Sequence, residues 1–124
     1  QGLFGYVEGT STNYAEISNL TIKGNVTGTF DVGGIAGRIN YCTIRNCKNY
    51  ATVTSTGYAI GDDASPDGAC GSVGGIVGKV GNVGSNIENC ENYGTVSGSY
   101  SGVGGIVGWV RKGTIISCKN NKEI

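Results

Sequence analysis

Short apolar segments alternate with polar ones along the chain, and one such pattern recurs four times. The clear copies are DVGGIAGRI at 31–39, SVGGIVGKV at 72–80 and GVGGIVGWV at 102–110, with a shorter copy, GLFGYV, at 2–7. Corresponding positions in successive copies are 32, 41 and 30 residues apart. Repeats of this length indicate an array of stacked units rather than one compact core.

A second repeated segment follows each glycine-rich one. Its copies are ISNLTIKGNVT from Ile17, IRNCKNYATVT from Ile44, IENCENYGTVS from Ile87 and a shortened IISCKNNK from Ile115. The repeats are therefore about 2–31, 32–72, 73–102 and 103–124, within a single repeat domain, 1–124. Because the chain begins inside a repeat, we expect it to be part of a longer protein.

The residue types in these repeats favour strands over helices. Val, Ile, Thr, Tyr and Gly are abundant, and no segment has the 3.6-residue spacing of an amphipathic helix. A repeat of about 30 residues with two or three short strands suits one turn of a parallel β-helix, with successive turns about 4.8 Å apart. We therefore predict an all-β fold, a short parallel β-helix (β-solenoid) of about four coils. We expect it to be right-handed, as crossovers between parallel strands almost always are.

Stacking of the coils predicts columns of equivalent residues. Cys47, Cys90 and Cys118 align as an inward apolar column, continued by Leu20 in the first repeat. Two residues later in each repeat, an asparagine column aligns, for which we expect a left-handed backbone and an amide ladder. This column consists of Asn49, Asn92 and Asn120. The glycines that leave room in a narrow core are Gly34, Gly37, Gly75, Gly78, Gly105 and Gly108.

Charged residues provide an independent test of this alignment. It places Arg45 beside Glu88, and Lys48 beside Glu91 with Lys119 beyond. Opposite charges on neighbouring strands contribute about 0.2–1 kcal/mol each.

The glycine-rich segment gives a mixed result. The alignment places Arg38 above Lys79, and two like charges on neighbouring strands count against it. Both side chains are long and are expected to point to solvent, so the repulsion between them should be small. If Gly33 to Ile39 is one strand, Ile35 and Ile39 face inward and Ala36 faces outward. The outer wall is then partly apolar.

Two outward columns follow from this assignment. One consists of Phe4, Ala36, Val77 and Val107, and the other of Tyr6, Arg38, Lys79 and Trp109. Such a wall either packs under another segment or forms a binding surface. Trp109 beside Lys79 predicts a cation–π contact, and Trp109, Tyr6 and Lys79 are the candidate ligand-binding residues.

The repeats resemble the GLUG-motif family, named for a Gly-Leu-x-Gly core. Gly2-Leu3-Phe4-Gly5 matches that core, and the other three copies carry Ile in place of Leu, each followed by the second segment with its Asn-Cys-x-Asn or related residues. The resemblance implies a bacterial secreted or surface-anchored protein, of the kind that includes adhesins and immunoglobulin-A-cleaving metallopeptidases. It implies an extracellular or cell-surface location and a non-catalytic module that serves in adhesion or as a structural spacer. An accessory region of a secreted peptidase is the alternative, and the insertion from Tyr58 to Ser72 departs from the pattern.

Composition argues against catalysis and against several classes of partner. The chain has no histidine, which removes the commonest general base and metal ligand. Its net charge is zero and no basic patch is evident, so we expect no nucleic acid partner. No apolar run is long enough for a transmembrane segment. We therefore expect no enzymatic activity and no cofactor, with a host glycan or host protein as the candidate partner.

Acidic residues and cysteines leave two smaller questions. Asp62, Asp63 and Asp67 are weak candidates for a calcium site, because Pro-Asp and Asp-Gly pairs are also ordinary turn formers. The stacked thiols are expected to be free, because neighbouring Cα–Cβ bonds are parallel rather than turned toward each other. Cys42 and Cys70 lie outside that column and could pair if the insertion folds back.

Three further hypotheses come from the solenoid itself. Asn25-Val26-Thr27, Thr52-Val53-Thr54 and Thr95-Val96-Ser97 would stack as three rungs, which raises an ice-binding face. A carbohydrate-active β-helix would need clustered carboxylates on one wall, which the scattered glutamates do not obviously provide. Open strand edges at the two ends also predict end-to-end self-association.

Overall fold

The computed structural model of the chain describes residues 2–29, 31–56, 72–81, 84–98 and 102–122. Over these residues the chain forms short β-strands and no helix, and every strand pairs in parallel with its counterpart in the next repeat. The predicted all-β fold, a short parallel β-helix of four coils, is confirmed. Among the described residues no helix is long and apolar enough to cross a membrane.

Each repeat contributes four or five strands to one coil. The first coil contains β1 (Phe4–Glu8), β2 (Ala15–Ser18), β3 (Thr21–Ile22) and β4 (Asn25–Gly28). The second contains β5 (Val32–Gly33), β6 (Ala36–Asn40), β7 (Cys42–Arg45), β8 (Lys48–Asn49) and β9 (Thr52–Ser55). The third contains β10 (Val73–Gly74), β11 (Val77–Val80), β12 (Asn86–Glu88), β13 (Glu91–Asn92) and β14 (Val96–Gly98). The fourth contains β15 (Val103–Gly104), β16 (Val107–Val110), β17 (Thr114–Ile116) and β18 (Lys119–Asn120).

Stacking of the coils produces five narrow parallel sheets, one on each side of the solenoid. Three sheets run through all four coils, in the orders β1-β6-β11-β16, β2-β7-β12-β17 and β3-β8-β13-β18. Two sheets have three strands, β5-β10-β15 and β4-β9-β14. The predicted register is confirmed, because Asn49 pairs with Asn92 and Val53 with Val96.

The core consists of two parallel apolar columns inside the solenoid. The larger cluster contains the stacked isoleucines and thiols, and Ile44, Ile87, Cys47 and Cys90 are fully buried in it. The smaller cluster contains Val32, Val53, Val73 and Val96. Each coil adds a thin layer, so the core depends on contacts between neighbouring repeats rather than on any one repeat.

The glycine-rich segment is not one continuous strand, which corrects the sequence-based assignment. The chain bends at Gly34 and Ile35, between β5 and β6. Because the bend resets the two-residue alternation, Val32 on β5 faces the smaller apolar cluster, while Ile35 and Ile39 face the larger one. The glycine pair therefore forms a corner between two sides of the solenoid.

The corner glycines pack directly on the asparagine ladder. A Cβ atom at Gly34 would lie 2.6 Å from Asn49 Oδ1, and the same conflict exists between Gly75 and Asn92 and between Gly105 and Asn120. Any side chain at these positions would collide with the amide of its own coil. This contact joins the two halves of the second, third and fourth repeats, whereas the first repeat carries Ile22 in the ladder position.

The two asparagines of the Asn-Cys-x-Asn segment have separate tasks, which corrects the prediction that one column does both. Asn19, Asn46 and Asn89 adopt positive φ angles of 61°, 56° and 53° and turn the corner before the thiol position. The ladder asparagines have no positive φ and lie in strands β8, β13 and β18. The left-handed column is therefore three residues before the amide ladder.

The predicted amide ladder is confirmed, and its amide groups hydrogen-bond to one another and to the backbone. Asn49 Nδ2 donates to Asn92 Oδ1 at 2.9 Å, and Asn92 Nδ2 donates to Asn120 Oδ1 at 2.8 Å. Each amide also bonds the backbone two residues later, as when Asn92 Nδ2 donates to Gly94 O and Asn92 Oδ1 accepts from Gly94 N. Asn49 and Asn92 are fully buried, so these bonds replace the water that the amides lose.

Candidate functional site

The candidate ligand-binding residues lie in one column on the sheet β1-β6-β11-β16. Tyr6 pairs with Arg38, Arg38 with Lys79, and Lys79 with Trp109. Arg38 Cζ lies 5.7 Å from the centre of the Tyr6 ring, and Lys79 Nζ lies 4.9 Å from the centre of the Trp109 ring. The predicted cation–π contact of Trp109 is confirmed, and a second one holds Tyr6.

Lys79 is fully buried, which corrects the expectation that its side chain points to solvent. Arg38, its neighbour in the column, is half-buried. A buried lysine is rare unless its charge has partners, and the Trp109 ring supplies one of them. The ammonium group of Lys79 is therefore not placed to contact a ligand from solvent.

Tyr6 and Trp109 stand at opposite ends of the column. Tyr6 is 53% exposed, and its hydroxyl accepts a hydrogen bond from Asn40 Nδ2 at 2.6 Å. Trp109 is half-buried in the fourth coil. Because two coils separate the rings, they do not form one pocket with Lys79 among the described residues.

The expectation that the neighbouring apolar column faces outward is wrong for its middle residues. Phe4 in the first coil is exposed, whereas Ala36 and Val77 in the two middle coils are fully buried members of the larger apolar cluster. Val107 in the fourth coil is half-buried. The two middle coils therefore present no open apolar surface in this column.

The thiol column contains free cysteines, as predicted. Cys47 and Cys90 are buried, and Cys118 is half-buried. Cys90 Sγ donates to Glu88 O at 3.3 Å, and Cys118 Sγ donates to Ile116 O at 3.5 Å. The hydrogen bond with Cys47, together with burial, raises the pKa of the Cys90 thiol. These thiols behave as small apolar groups of the core.

Cys42 is also a buried free thiol. Burial raises its pKa to about 11, so it remains protonated at neutral pH. Raised pKa values make a thiol a poor nucleophile, because the thiolate is the reactive form. Cys70, its hypothetical partner, lies outside the described residues.

Ion pairs join charged side chains of the first three coils. Arg45 bonds both Glu16 and Glu88, with nitrogen–oxygen distances of 3.2 and 3.1 Å, and Lys48 Nζ lies 3.7 Å from Glu91 Oε1. The predicted pairs of Arg45 and Lys48 are confirmed. These carboxylates face basic partners rather than each other, an arrangement that suits no paired-carboxylate chemistry.

The described side chains form no cluster that is suited to binding a metal ion. Among the described residues, no group of three or more His, Cys, Asp or Glu side chains could hold a metal ion. The candidate calcium ligands Asp62, Asp63 and Asp67 lie outside the described residues. The calcium hypothesis therefore stays a prediction.

A shallow groove lies at one end of the sheet β4-β9-β14. Its volume is about 300 Å³, and it is lined by Thr54, Ser55, Thr56, Ser97 and Gly98. Ser97 Oγ donates to Thr54 Oγ1 at 3.4 Å, so these two rungs of the predicted threonine array are in register. The Thr-x-Thr pattern pointed to Thr54 and Ser97, whereas Ser55 and Gly98 carry no signal that distinguishes them in the sequence.

Two tyrosines on the adjacent side stack on each other. The Tyr50 and Tyr93 rings are 4.8 Å apart and nearly parallel, at 7°. Each ring covers one face of the other, and Tyr50 remains 46% exposed while Tyr93 is half-buried. The stacked pair joins the two middle coils.

Comparison of the chain with family models, curated proteins and solved structures yields no match. The relation to GLUG-motif repeats therefore stays a resemblance carried by the residues given above.

Proposed function

We propose that this chain is a non-catalytic structural spacer module of a secreted or surface-anchored bacterial protein. The observation that carries the proposal is the uninterrupted register of the four coils, with the amide ladder running from Asn49 through Asn92 to Asn120. A spacer must hold a fixed length, and parallel coils in one register supply about 4.8 Å of length each.

The distribution of polar groups supports this role. The most buried polar side chains of the described residues, including Asn49 and Asn92, bond neighbouring repeats rather than converge on a cleft. The ion pairs of Arg45 and Lys48 also join coil to coil. Because these polar groups bond one coil to the next, few of them remain to bind a substrate. The sequence also has no histidine, the commonest general base.

The extracellular and bacterial parts of the proposal depend on the resemblance to GLUG-motif repeats. Cell fractionation of a native host tests the location of the protein separately from its mechanical role.

Adhesion is the second candidate, and the groove beside Thr54 and Ser97 favours it. Thr56 and Ser97 are exposed in this groove and offer hydroxyl groups to a sugar, whereas Ser55 is buried and donates to Thr29 O. An adhesive module should bind a host glycan or protein saturably, and Trp109→Ala, Thr54→Val or removal of Tyr58–Ser72 should abolish that binding. A spacer should be indifferent to all three changes.

A glycan array and a panel of host surface proteins distinguish the two roles. The spacer proposal expects no saturable binding by the wild-type chain. In parallel, duplication of residues 32–102 in register should lengthen the particle by about 10 Å in small-angle scattering, since two coils are added. Saturable binding that Trp109→Ala or Thr54→Val removes would favour adhesion, and an unchanged length would contradict the spacer role.

A further inference from the structure

One side of the solenoid, the sheet β4-β9-β14, carries no charged side chain at its described outward positions. Its inward positions are Val26, Val53 and Val96, which belong to the smaller apolar cluster or pack against it. The side chains that alternate with them form what we call the hydroxyl face: Asn25, Thr27, Thr52, Thr54, Thr95 and Ser97. By contrast, each of the three sheets that run through all four coils carries acidic and basic side chains.

The hydroxyl face is a lateral surface and not an end of the solenoid. Its central strand, β9, pairs with β4 on one side and with β14 on the other. Thr52 on β9 is nevertheless exposed, and Thr54 is half-buried. Because these side chains point away from the axis, their exposure does not come from a missing neighbouring coil.

An exposed tyrosine lies along one edge of the hydroxyl face. Tyr50 is 46% exposed and stacks on Tyr93 of the next coil. Ala51 forms the corner between Tyr50 and Thr52 and is fully buried. The amide of Asn49 bonds the N–H and the carbonyl of Ala51, at 3.1 and 3.0 Å. The amide ladder therefore holds the corner that places the tyrosine beside the hydroxyl columns.

The groove lies along the opposite edge of the face and spans the two middle coils. Thr54 and Thr56 line it from the second coil, and Ser97 and Gly98 line it from the third. Its volume of about 300 Å³ is that of a small ligand site. Tyr50, the hydroxyl columns and the groove therefore form one continuous strip across the middle coils.

This strip suits a ligand that is uncharged, rich in hydroxyl groups and extended. Threonine and serine hydroxyls donate and accept hydrogen bonds, as sugar hydroxyls do, and a tyrosine ring packs against the C–H groups of a sugar. The face has no charge that would pair with an acidic or basic glycan. Its columns run along the solenoid axis with a step of about 4.8 Å per coil. A chain that lies along the axis therefore meets equivalent side chains in successive coils.

We propose that the hydroxyl face binds a long neutral polysaccharide that lies along the solenoid axis, between Tyr50 and the groove. Each exposed hydrogen bond contributes little, because water competes for both partners. Many sugars must therefore bind at once, and glycans of a few sugars are held too weakly to detect. The inference goes beyond the spacer role and does not depend on it, because the length of the module and the chemistry of one side are separate properties.

Affinity electrophoresis of residues 1–124 in native gels tests the class of ligand. Hydroxyethyl cellulose, arabinoxylan and a mixed-linkage β-glucan are the neutral probes, and carboxymethyl cellulose is the charged counterpart of the first. At least one neutral polysaccharide should retard the chain in proportion to its concentration, and carboxymethyl cellulose should retard it at least about fivefold less. Retardation by none of the neutral probes, or equal retardation by carboxymethyl cellulose, would overturn the proposal.

Substitutions at Thr52 test the location of the site. Thr52→Asp should weaken binding at least about fivefold, because it buries a charge under the sugar chain. Thr21→Asp makes the same change in net charge at an exposed position of the neighbouring sheet β3-β8-β13-β18, and should leave binding unchanged. Equal effects of the two variants would contradict the site.

Two conservative variants separate the hydroxyl group from the fold. Thr52→Val keeps the shape of the side chain and should weaken binding about threefold, whereas Thr52→Ser keeps the hydroxyl and should bind like the wild type. A Thr52→Val variant that binds as tightly as the wild type would overturn the role of the hydroxyl face. The length measured by small-angle scattering tests the spacer role, so either proposal can fail without the other.

Discussion

The two middle coils and the fourth coil carry nearly the same residues in very different surroundings. Ile44 and Ile87 are fully buried, whereas Ile115 in the same column is 45% exposed. Asn92 is buried and Asn120 is exposed, although both belong to one ladder. In a solenoid, burial is set by whether a coil has a neighbour on both sides, and the repeat motif does not reveal it.

This difference predicts where stability is concentrated. A middle coil loses contacts on two faces when a side chain is truncated, while the fourth coil loses them on one. Local opening should therefore begin at the fourth coil and reach the middle coils only with global unfolding. Paired substitutions at one column measure the difference, because the chemistry of each change is the same.

The isoleucine column should give the largest contrast. Ile87→Ala should lower the free energy of unfolding by about 3–4 kcal/mol, since it leaves a cavity in the buried cluster. Ile115→Ala should cost under about 1 kcal/mol, because solvent already reaches that side chain. Urea denaturation of the two variants measures the contrast, and equal losses would show that the fourth coil is as well covered as the third.

The amide ladder should give the next contrast. Asn92→Ala should cost about 2–3 kcal/mol, because it leaves buried groups such as Gly94 N without their partner. Asn120→Ala should cost about 1 kcal/mol or less, since water replaces its bonds. The same denaturation series tests this, and an Asn92→Ala variant as stable as the wild type would contradict the ladder.

The pH dependence of stability should sharpen the account of the buried interior. The folded protein holds the pKa of Cys42 at about 11, above the ordinary value of 9.0, because burial disfavours the thiolate. The stability this group contributes is present below pH 9 and is lost as the pH rises toward 11, because the unfolded chain releases the proton first. Between those pH values wild type should lose about 2–3 kcal/mol more than Cys42→Ala. Parallel pH profiles would contradict it.

The ion pairs should give the smallest contrast. A double-mutant cycle on Arg45 and Glu88, which joins the two middle coils, should yield a coupling of about 0.5 kcal/mol. The cycle on Arg45 and Glu16 should yield less, because the Glu16 side chain is 52% exposed against 28% for Glu88. Added salt should reduce both couplings, and a larger value for Glu16 would reverse the expected order.

The sequence predicted the register well because the register is specified many times over. Matching thiols, amides and valines all require the same alignment, and the Arg45–Glu88 pair agrees with it. A shift by one residue would turn every one of these side chains to the other face. The repeated residues were therefore enough to predict the register of the coils without a related protein.

Three features were not predictable from the pattern, for physical reasons. The bend at Gly34 is hidden because glycine suits both a strand and a corner. The left-handed turn falls on Asn46 rather than Asn49, and either asparagine tolerates that backbone. Burial of Lys79 depends on what lies over it, which the alternation along β11 does not encode.

The central claim is that equivalent residues of successive repeats lie directly over one another. Nuclear Overhauser contacts between isoleucine methyl groups test it most directly, in a sample with methyl-labelled isoleucine. The account predicts contacts of Ile87 with both Ile44 and Ile115, and none between Ile44 and Ile115, which are two coils apart. Absence of the Ile44–Ile87 contact, or a contact between Ile44 and Ile115, would contradict it.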